Sequence, residues 1–262
     1  MRLKQEAKRY QTALILLIVI AIIGIVHSPI IIGVFLTVVF VLASKEALNL
    51  YGFENSTKFW IALIAIWCVA IVYKNPLDIL ILAVIICASI AAYNHNIELK
   101  IALPLLYPAA PLMAMFLLYI EFGVLAIFWL LAIVIACDVG AYFAGRNIGK
   151  TPFSPSSPNK TIEGVAGGIT AATIFGTILG IFMPNVAFAS VILITIFVAI
   201  ASVFGDLFES YLKRKAGVKD SGNLLPGHGG VLDRIDGYLF AGFALLILLR
   251  LNAYIATLMA AE

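Results

Sequence analysis

The sequence predicts an all-α polytopic membrane protein of about nine transmembrane helices, and three observations carry that prediction. Apolar residues make up 63% of the 262-residue chain and charged ones only 12%. Mean hydropathy is +1.09, far above that of a water-soluble domain. The apolar residues also come in long runs without strict two-residue alternation. In hydrocarbon only helices and closed barrels satisfy their own backbone, so helices remain. The whole chain, 1–262, reads as a single integral-membrane domain. Residues 1–120 form its N-terminal helices, and 121–262 hold the helices and loops that carry the polar motifs.

The first span is expected at 11–27, behind a basic start, "MRLKQEAKRY". No small-x-small cleavage site precedes the next apolar run, so it reads as a retained helix rather than a secretory leader. Further spans are expected at 29–44, 58–73, 77–93, 101–119, 122–144, 163–182, 186–206 and 237–258. With the N-terminus cytoplasmic, this arrangement puts on the inner side all of the 17 Lys and Arg except Lys74, in an outer loop, and Arg250, within the last span. That asymmetry is the positive-inside pattern, and a one-span error in the middle would scatter it. A multi-pass protein of the cytoplasmic (inner) membrane follows. Cys68, Cys87 and Cys137 lie in apolar runs, match no metal-ligand spacing, and are expected as small buried core residues.

Two inner loops break the rule of minimal connections: 145–164 and about 206–236. In "GDLFESYLKRK" a helix would align Asp206, Glu209, Ser210 and Lys213 near one face. Asp206 closes a span, where a carboxylate is costly without a partner. In "LDRIDG", Asp233 and Asp236 are one helical turn apart at the entry to the last span and would repel each other unless a cation or proton lay between them. With Asp206 they make an oxygen-only set suited to a hard cation such as Mg²⁺. Acidic residues at a helix N-terminus are also favoured by the dipole alone, and D-x-x-D is by itself a weak signal. The neighbours add weight to the metal reading. Lys213, Arg214, Lys219 and Arg234 supply phosphate-binding charge. "PGHGG" supplies a glycine turn whose amides can approach an anion. Together they describe a metal–polyphosphate site at the cytoplasmic face.

Read in order, "SYLKRKAGVKDSGNLLPGHGGVLDRID" resembles the signature of the phosphatidate cytidylyltransferases, or CDP-diacylglycerol synthases. Ser210, Lys213, Arg214, Lys219, Asp220, His228, Gly229, Gly230, Asp233, Arg234 and Asp236 match that pattern in register. The upstream stretch "CDVGAYFAGRNIGKTPFSPSSPNKTIEG" is similar to the family's preceding region. Within it Lys160, with Thr161 and Glu163, is similar to a family position implicated in substrate binding. The first half of the chain resembles the family only in being hydrophobic.

The resemblance implies the reaction of CTP with phosphatidic acid to give CDP-diacylglycerol and pyrophosphate, in phospholipid biosynthesis. On that reading Asp206, Asp233 and Asp236 hold the metal, and with Lys213 and Arg214 they are the catalytic residues. Lys160, Thr161, Ser210, Lys219, Asp220, His228, Gly229, Gly230 and Arg234 bind substrate. His228 stays open between metal ligand, phosphate donor and a fixed hydrogen bond in the glycine turn. Mg²⁺ is the expected cofactor, with a second, monovalent cation as an addition to it. CTP, phosphatidic acid, membrane lipids and a second copy in a homodimer are the expected partners; nucleic acid is not.

Several rivals are weaker. "GRNIGKT" looks like a phosphate-binding loop, but Ala144 stands where its first glycine belongs and no strand precedes it. A transporter would place its ionisable groups near the midplane, whereas here they gather at one surface. The D-G-x-x-A-R pattern of the CDP-alcohol phosphatidyltransferases is missing. A CTP-dependent polyprenol or lipid kinase, which would release CDP, is the nearest alternative in chemistry.

Overall fold

The computed structural model describes residues 24, 26, 28–53, 57–94, 97–225 and 229–260. Its helices are α1 (Pro29–Leu50), α2 (Thr57–Val72), α3 (Pro76–Tyr93), α4 (Ala110–Ile148), α5 (Ile162–Gly180), α6 (Phe188–Lys215) and α7 (Leu232–Met259). Between α4 and α5 stands one antiparallel hairpin, β1 (Pro152–Ser154) with β2 (Ser157–Thr161). Among the described residues six helical segments are long and apolar enough to cross a membrane, and Thr57–Val72 is a shorter apolar helix.

The expected spans 101–119 and 122–144 both fall within the segment Leu99–Ile148. It is interrupted at Gly123, whose φ of 78° lies in the left-handed region that glycine enters without a Cβ clash. Of the expected first span, 11–27, only residues 24 and 26 are among those described. The polar ends of the last two helices extend past the apolar runs. α6 continues to Lys215 and α7 begins at Leu232. Lys213, Arg214 and Lys215 complete the last turn of α6 and Asp233 lies in the first turn of α7, both arrangements favoured by the helix dipole.

The chain divides into two compact units. The first holds the described residues up to Phe116 together with Leu212–Ile235. Proline opens α1 and α3, where its missing N–H has no helical partner to lose. Phe40 stacks on Trp67 with ring centroids 4.1 Å apart, and both are buried. The Trp67 indole N–H donates to Thr37 Oγ1 at 3.0 Å, so the ring's one polar atom is satisfied inside this apolar packing.

The second unit holds Leu117–Tyr211 with the chain from Asp236 onward. Its helices approach through small residues, as membrane helices do. A Cβ on Gly168 of α5 would lie 2.7 Å from the Cys137 carbonyl of α4, and one on Gly167 would lie 2.3 Å from Ala144 Cβ. α6 and α7 meet the same way: a Cβ on Gly205 would be 2.6 Å from the Asp236 carbonyl oxygen. Arg250, the basic residue read inside the last span, donates from Nε to Glu121 Oε2 at 2.9 Å, so its charge is paired. Among the three cysteines only Cys137 is buried, while Cys68 is exposed. The expectation of three buried thiols fails because the surface of a membrane helix can be as apolar as its core.

Candidate active site

In the second unit the site begins with the hairpin. Glu163, in the first turn of α5, accepts hydrogen bonds from the Lys150 N–H at 3.1 Å, the Thr151 N–H at 3.2 Å and the Thr151 hydroxyl at 2.9 Å. Thr161 caps the same helix by accepting from the Gly164 N–H at 3.1 Å. The end of β2 is thereby fixed to the start of α5. Lys160, one residue before the cap, forms an ion pair with Asp206 of α6. Ser210, one turn further along α6, donates to Asp206 Oδ1 at 3.3 Å.

These residues border a cavity of about 520 Å³, lined among others by Asp138, Arg146, Asn159, Lys160, Thr161 and Asp206. Two cations and two carboxylates face a space large enough for a phosphate-bearing ligand. Arg146 was not singled out as a binding residue from the sequence. Its neighbour one helical turn back, Tyr142, accepts from Arg146 Nη1 at 3.0 Å. The signal available was the fourfold spacing of an aromatic and a base on one helix. Asp236 lies at the start of this unit's part of α7, and its Oδ1 accepts the Gly237 N–H at 2.8 Å. The Gly205 contact brings its backbone against α6 next to Asp206. Glu209, which the helical alignment placed beside Asp206, is fully buried.

In the first unit, Lys213 Nζ lies 2.7 Å from Asp233 Oδ1. The other oxygen of Asp233 accepts from the Ser221 N–H at 2.9 Å, the Ser221 hydroxyl at 2.9 Å and the Gly230 N–H at 2.7 Å. The expectation that the glycine turn offers its amides to an anion acquires a particular answer here. The anion at Gly230 is Asp233, and a Cβ on Gly229 (φ 82°) would meet Asp233 Oδ2 at 2.6 Å. Arg214, Lys219, Asp220 and Arg234 are exposed around this cluster. Arg214 Nη1 donates to the Val218 carbonyl at 3.4 Å. His228 lies outside the described residues.

One residue of this unit had no place in the sequence reading. Glu46 of α1 accepts from the Ser221 hydroxyl and from the N–H groups of Val231 and Leu232, at 3.0, 3.0 and 2.8 Å.

Among the described residues no three His, Cys, Asp or Glu side chains gather as a metal-holding group. Asp206 and Asp233 each receive a lysine ammonium instead. The candidate ligands are carboxylate oxygens, the donor type that Mg²⁺ takes, and Asp206 and Asp233 already stabilise a positive charge.

Helices of membrane-crossing length, with a cavity lined by charged side chains where α4, β2, α5 and α6 meet, define a multi-pass membrane protein. Residues 7–252 match the cytidylyltransferase family, and the chain belongs to it. It is 40% identical over 245 residues to a phosphatidate cytidylyltransferase of Helicobacter pylori J99, covering 94% of this chain and 92% of that one. It is 35% identical over 219 residues to the phosphatidate cytidylyltransferase of Thermotoga maritima, covering 77% of this chain and 81% of that one. The similarity to the Bacillus subtilis phosphatidate cytidylyltransferase is 45% over 133 residues, half of this chain and 49% of that one.

Proposed function

We infer that the protein is a phosphatidate cytidylyltransferase, joining CTP and phosphatidic acid to give CDP-diacylglycerol and pyrophosphate. The observation that carries this reading is the 40% identity across 94% of the chain to the Helicobacter pylori enzyme. A phosphomonoester has a second pKa of about 6, so the lipid phosphate is already mostly dianionic at neutral pH and needs no general base. Its oxygen attacks the α-phosphorus of CTP, and the bond to the bridging oxygen of pyrophosphate breaks. The barrier is the approach of one anion to another.

Lys160 and Arg146, both lining the cavity, offset that repulsion by holding phosphate oxygens. Asn159 and Thr161 add neutral donors at the same wall. Lys213 and the exposed Arg214, Lys219 and Arg234 form a second set of cations for phosphate. Asp206, Asp233 and Asp236 are the residues that would hold Mg²⁺, an assignment resting on the sequence pattern. When bound, Mg²⁺ neutralises charge on the triphosphate and on the departing pyrophosphate.

The positive-inside pattern supports nine spans with the N-terminus and this chemistry on the cytoplasmic side, where CTP is present. Phosphatidic acid would then react with its headgroup at the interface and its tails in the bilayer. The homodimer rests on the family resemblance.

The test is incubation of the purified protein in detergent with cytidine-labelled CTP, phosphatidic acid and Mg²⁺. Label should enter lipid, with pyrophosphate released, and chelation of Mg²⁺ should stop it. Label confined to soluble CDP would point instead to a CTP-dependent lipid kinase.

A further inference from the structure

The first half of the chain enters the site through one buried carboxylate. Glu46 lies near the C-terminal end of α1 and is only 7% exposed. Its three hydrogen-bond partners stand 175 to 186 residues further along the chain. Two are the backbone N–H groups of Val231 and Leu232, at the point where α7 starts. Helix N-termini leave such groups without intrahelical partners, and a carboxylate satisfies them while complementing the dipole. The third is the Ser221 hydroxyl.

The surrounding backbone is cut to the shape of this carboxylate. A Cβ on Gly222 would fall 2.6 Å from Glu46 Oε1, and one on Gly230 would fall 2.4 Å from Oε2. A Cβ at either glycine would therefore push the Glu46 carboxylate from this position. Glycine 230 serves two ends at once, since its N–H also goes to Asp233.

Ser221 makes the arrangement more than a helix cap. Its oxygen is 3.0 Å from Glu46 Oε2 and 2.9 Å from Asp233 Oδ2. A hydroxyl has one proton to donate, so the two carboxylates share it, and a change at one alters the bonding at the other. Asp233 in turn holds Lys213. A continuous chain of contacts runs from Glu46 through Ser221 to the Asp233–Lys213 pair.

We propose that Glu46 is a positioning residue for the cytidylyl transfer: it sets the start of α7 and, through Ser221, the orientation of the Asp233 carboxylate. This rests on the functional reading above. Glu46→Gln keeps the size of the side chain but offers one acceptor oxygen instead of two and turns an NH₂ toward the N–H groups. The expected result is a fall in kcat of about tenfold to a hundredfold, with KM for CTP changed far less. Ser221→Ala should lower kcat in the same direction. The double variant should lose little beyond the worse single one, because both act through one path.

An activity-independent readout accompanies these. Hydrogen–deuterium exchange of the peptide covering residues 221–235 should quicken in Glu46→Gln while the helices of the second unit exchange as before. Glu46→Gln with unchanged kcat and unchanged exchange would overturn the proposal. So would additive losses in the double variant, or a lowered amount of folded protein whose kcat per folded molecule stays normal. Should Glu46→Gln fail to fold, Ser221→Ala carries the test by the same two readouts. If the wild-type protein puts no label into lipid, the functional reading has failed. The exchange data then decide on Glu46 by themselves.

Discussion

Lys213, on the last turn of α6, and Asp233, on the first turn of α7, form an ion pair at 2.7 Å that is largely withdrawn from solvent, with side chains 13% and 5% exposed. The contact fastens the end of one helix to the beginning of another and ties together two residues that the sequence pattern assigns to the reaction. Burial makes it sensitive: losing one partner leaves a buried charge without its counter-ion, while losing both does not.

Lys213→Met should therefore lower stability by about 3–5 kcal/mol and abolish turnover. The double variant Lys213→Met with Asp233→Asn should recover much of the thermal midpoint in detergent and none of the activity. Recovery of both would assign the pair to folding alone.

The Lys160–Asp206 pair should behave differently. Its side chains are 28% and 31% exposed, so solvent screens it and its loss should cost under about 1 kcal/mol of stability. Because Lys160 lines the cavity, Lys160→Ala should instead raise KM for CTP or phosphatidic acid by about tenfold or more, the scale of a lost charged hydrogen bond. Initial-rate kinetics in detergent, with each substrate varied in turn, would tell which one Lys160 holds.

Glu163 makes no ion pair among the contacts described, but it accepts three hydrogen bonds from Lys150 and Thr151 at the base of the hairpin. Glu163→Gln should loosen that base. Limited proteolysis should cut faster within residues 150–160, and turnover should fall about tenfold, while the thermal midpoint barely moves. Resistance to proteolysis equal to the wild type would mean the hairpin is held by other contacts.

Two glycines between α6 and α7 offer a graded test of packing. A Cβ on Gly205 meets backbone, the Asp236 carbonyl at 2.6 Å, whereas one on Gly237 meets the Ser202 hydroxyl at 2.8 Å. Backbone cannot step aside, and a side chain can. Gly205→Ala should cost about 1–3 kcal/mol and lower activity by displacing Asp236, with Gly237→Ala milder on both counts. Thermal unfolding and the lipid-labelling assay measure the two effects separately.

Much of this protein is legible because it is written locally. Apolar runs marked most of the helices, since burial in hydrocarbon depends on composition over a stretch of about 20 residues. The helical spacing of Asp206, Ser210 and Lys213 put them on one helix, where the structure has them, and Asp233 does lie in the first turn of the last helix. The signature segment led to the family for the same reason: its residues are contiguous.

What could not be read depends on which distant groups meet. Nothing in "ASKEALNL" distinguishes Glu46 from a surface charge; its partners are 175 residues or more away. The glycines at 229 and 230 suggested room for an incoming anion, and the structure sets the protein's own Asp233 and Glu46 there. Arg146 and Lys160 border one cavity only because α4 and α5 close on each other through Gly167 and Gly168. By itself the sequence determined the membrane class, most of the described helices and the family, all properties of neighbouring residues. Tertiary structure alone decided the partner of each charge, because ion pairs and caps depend on distances in space that spacing along the chain does not encode.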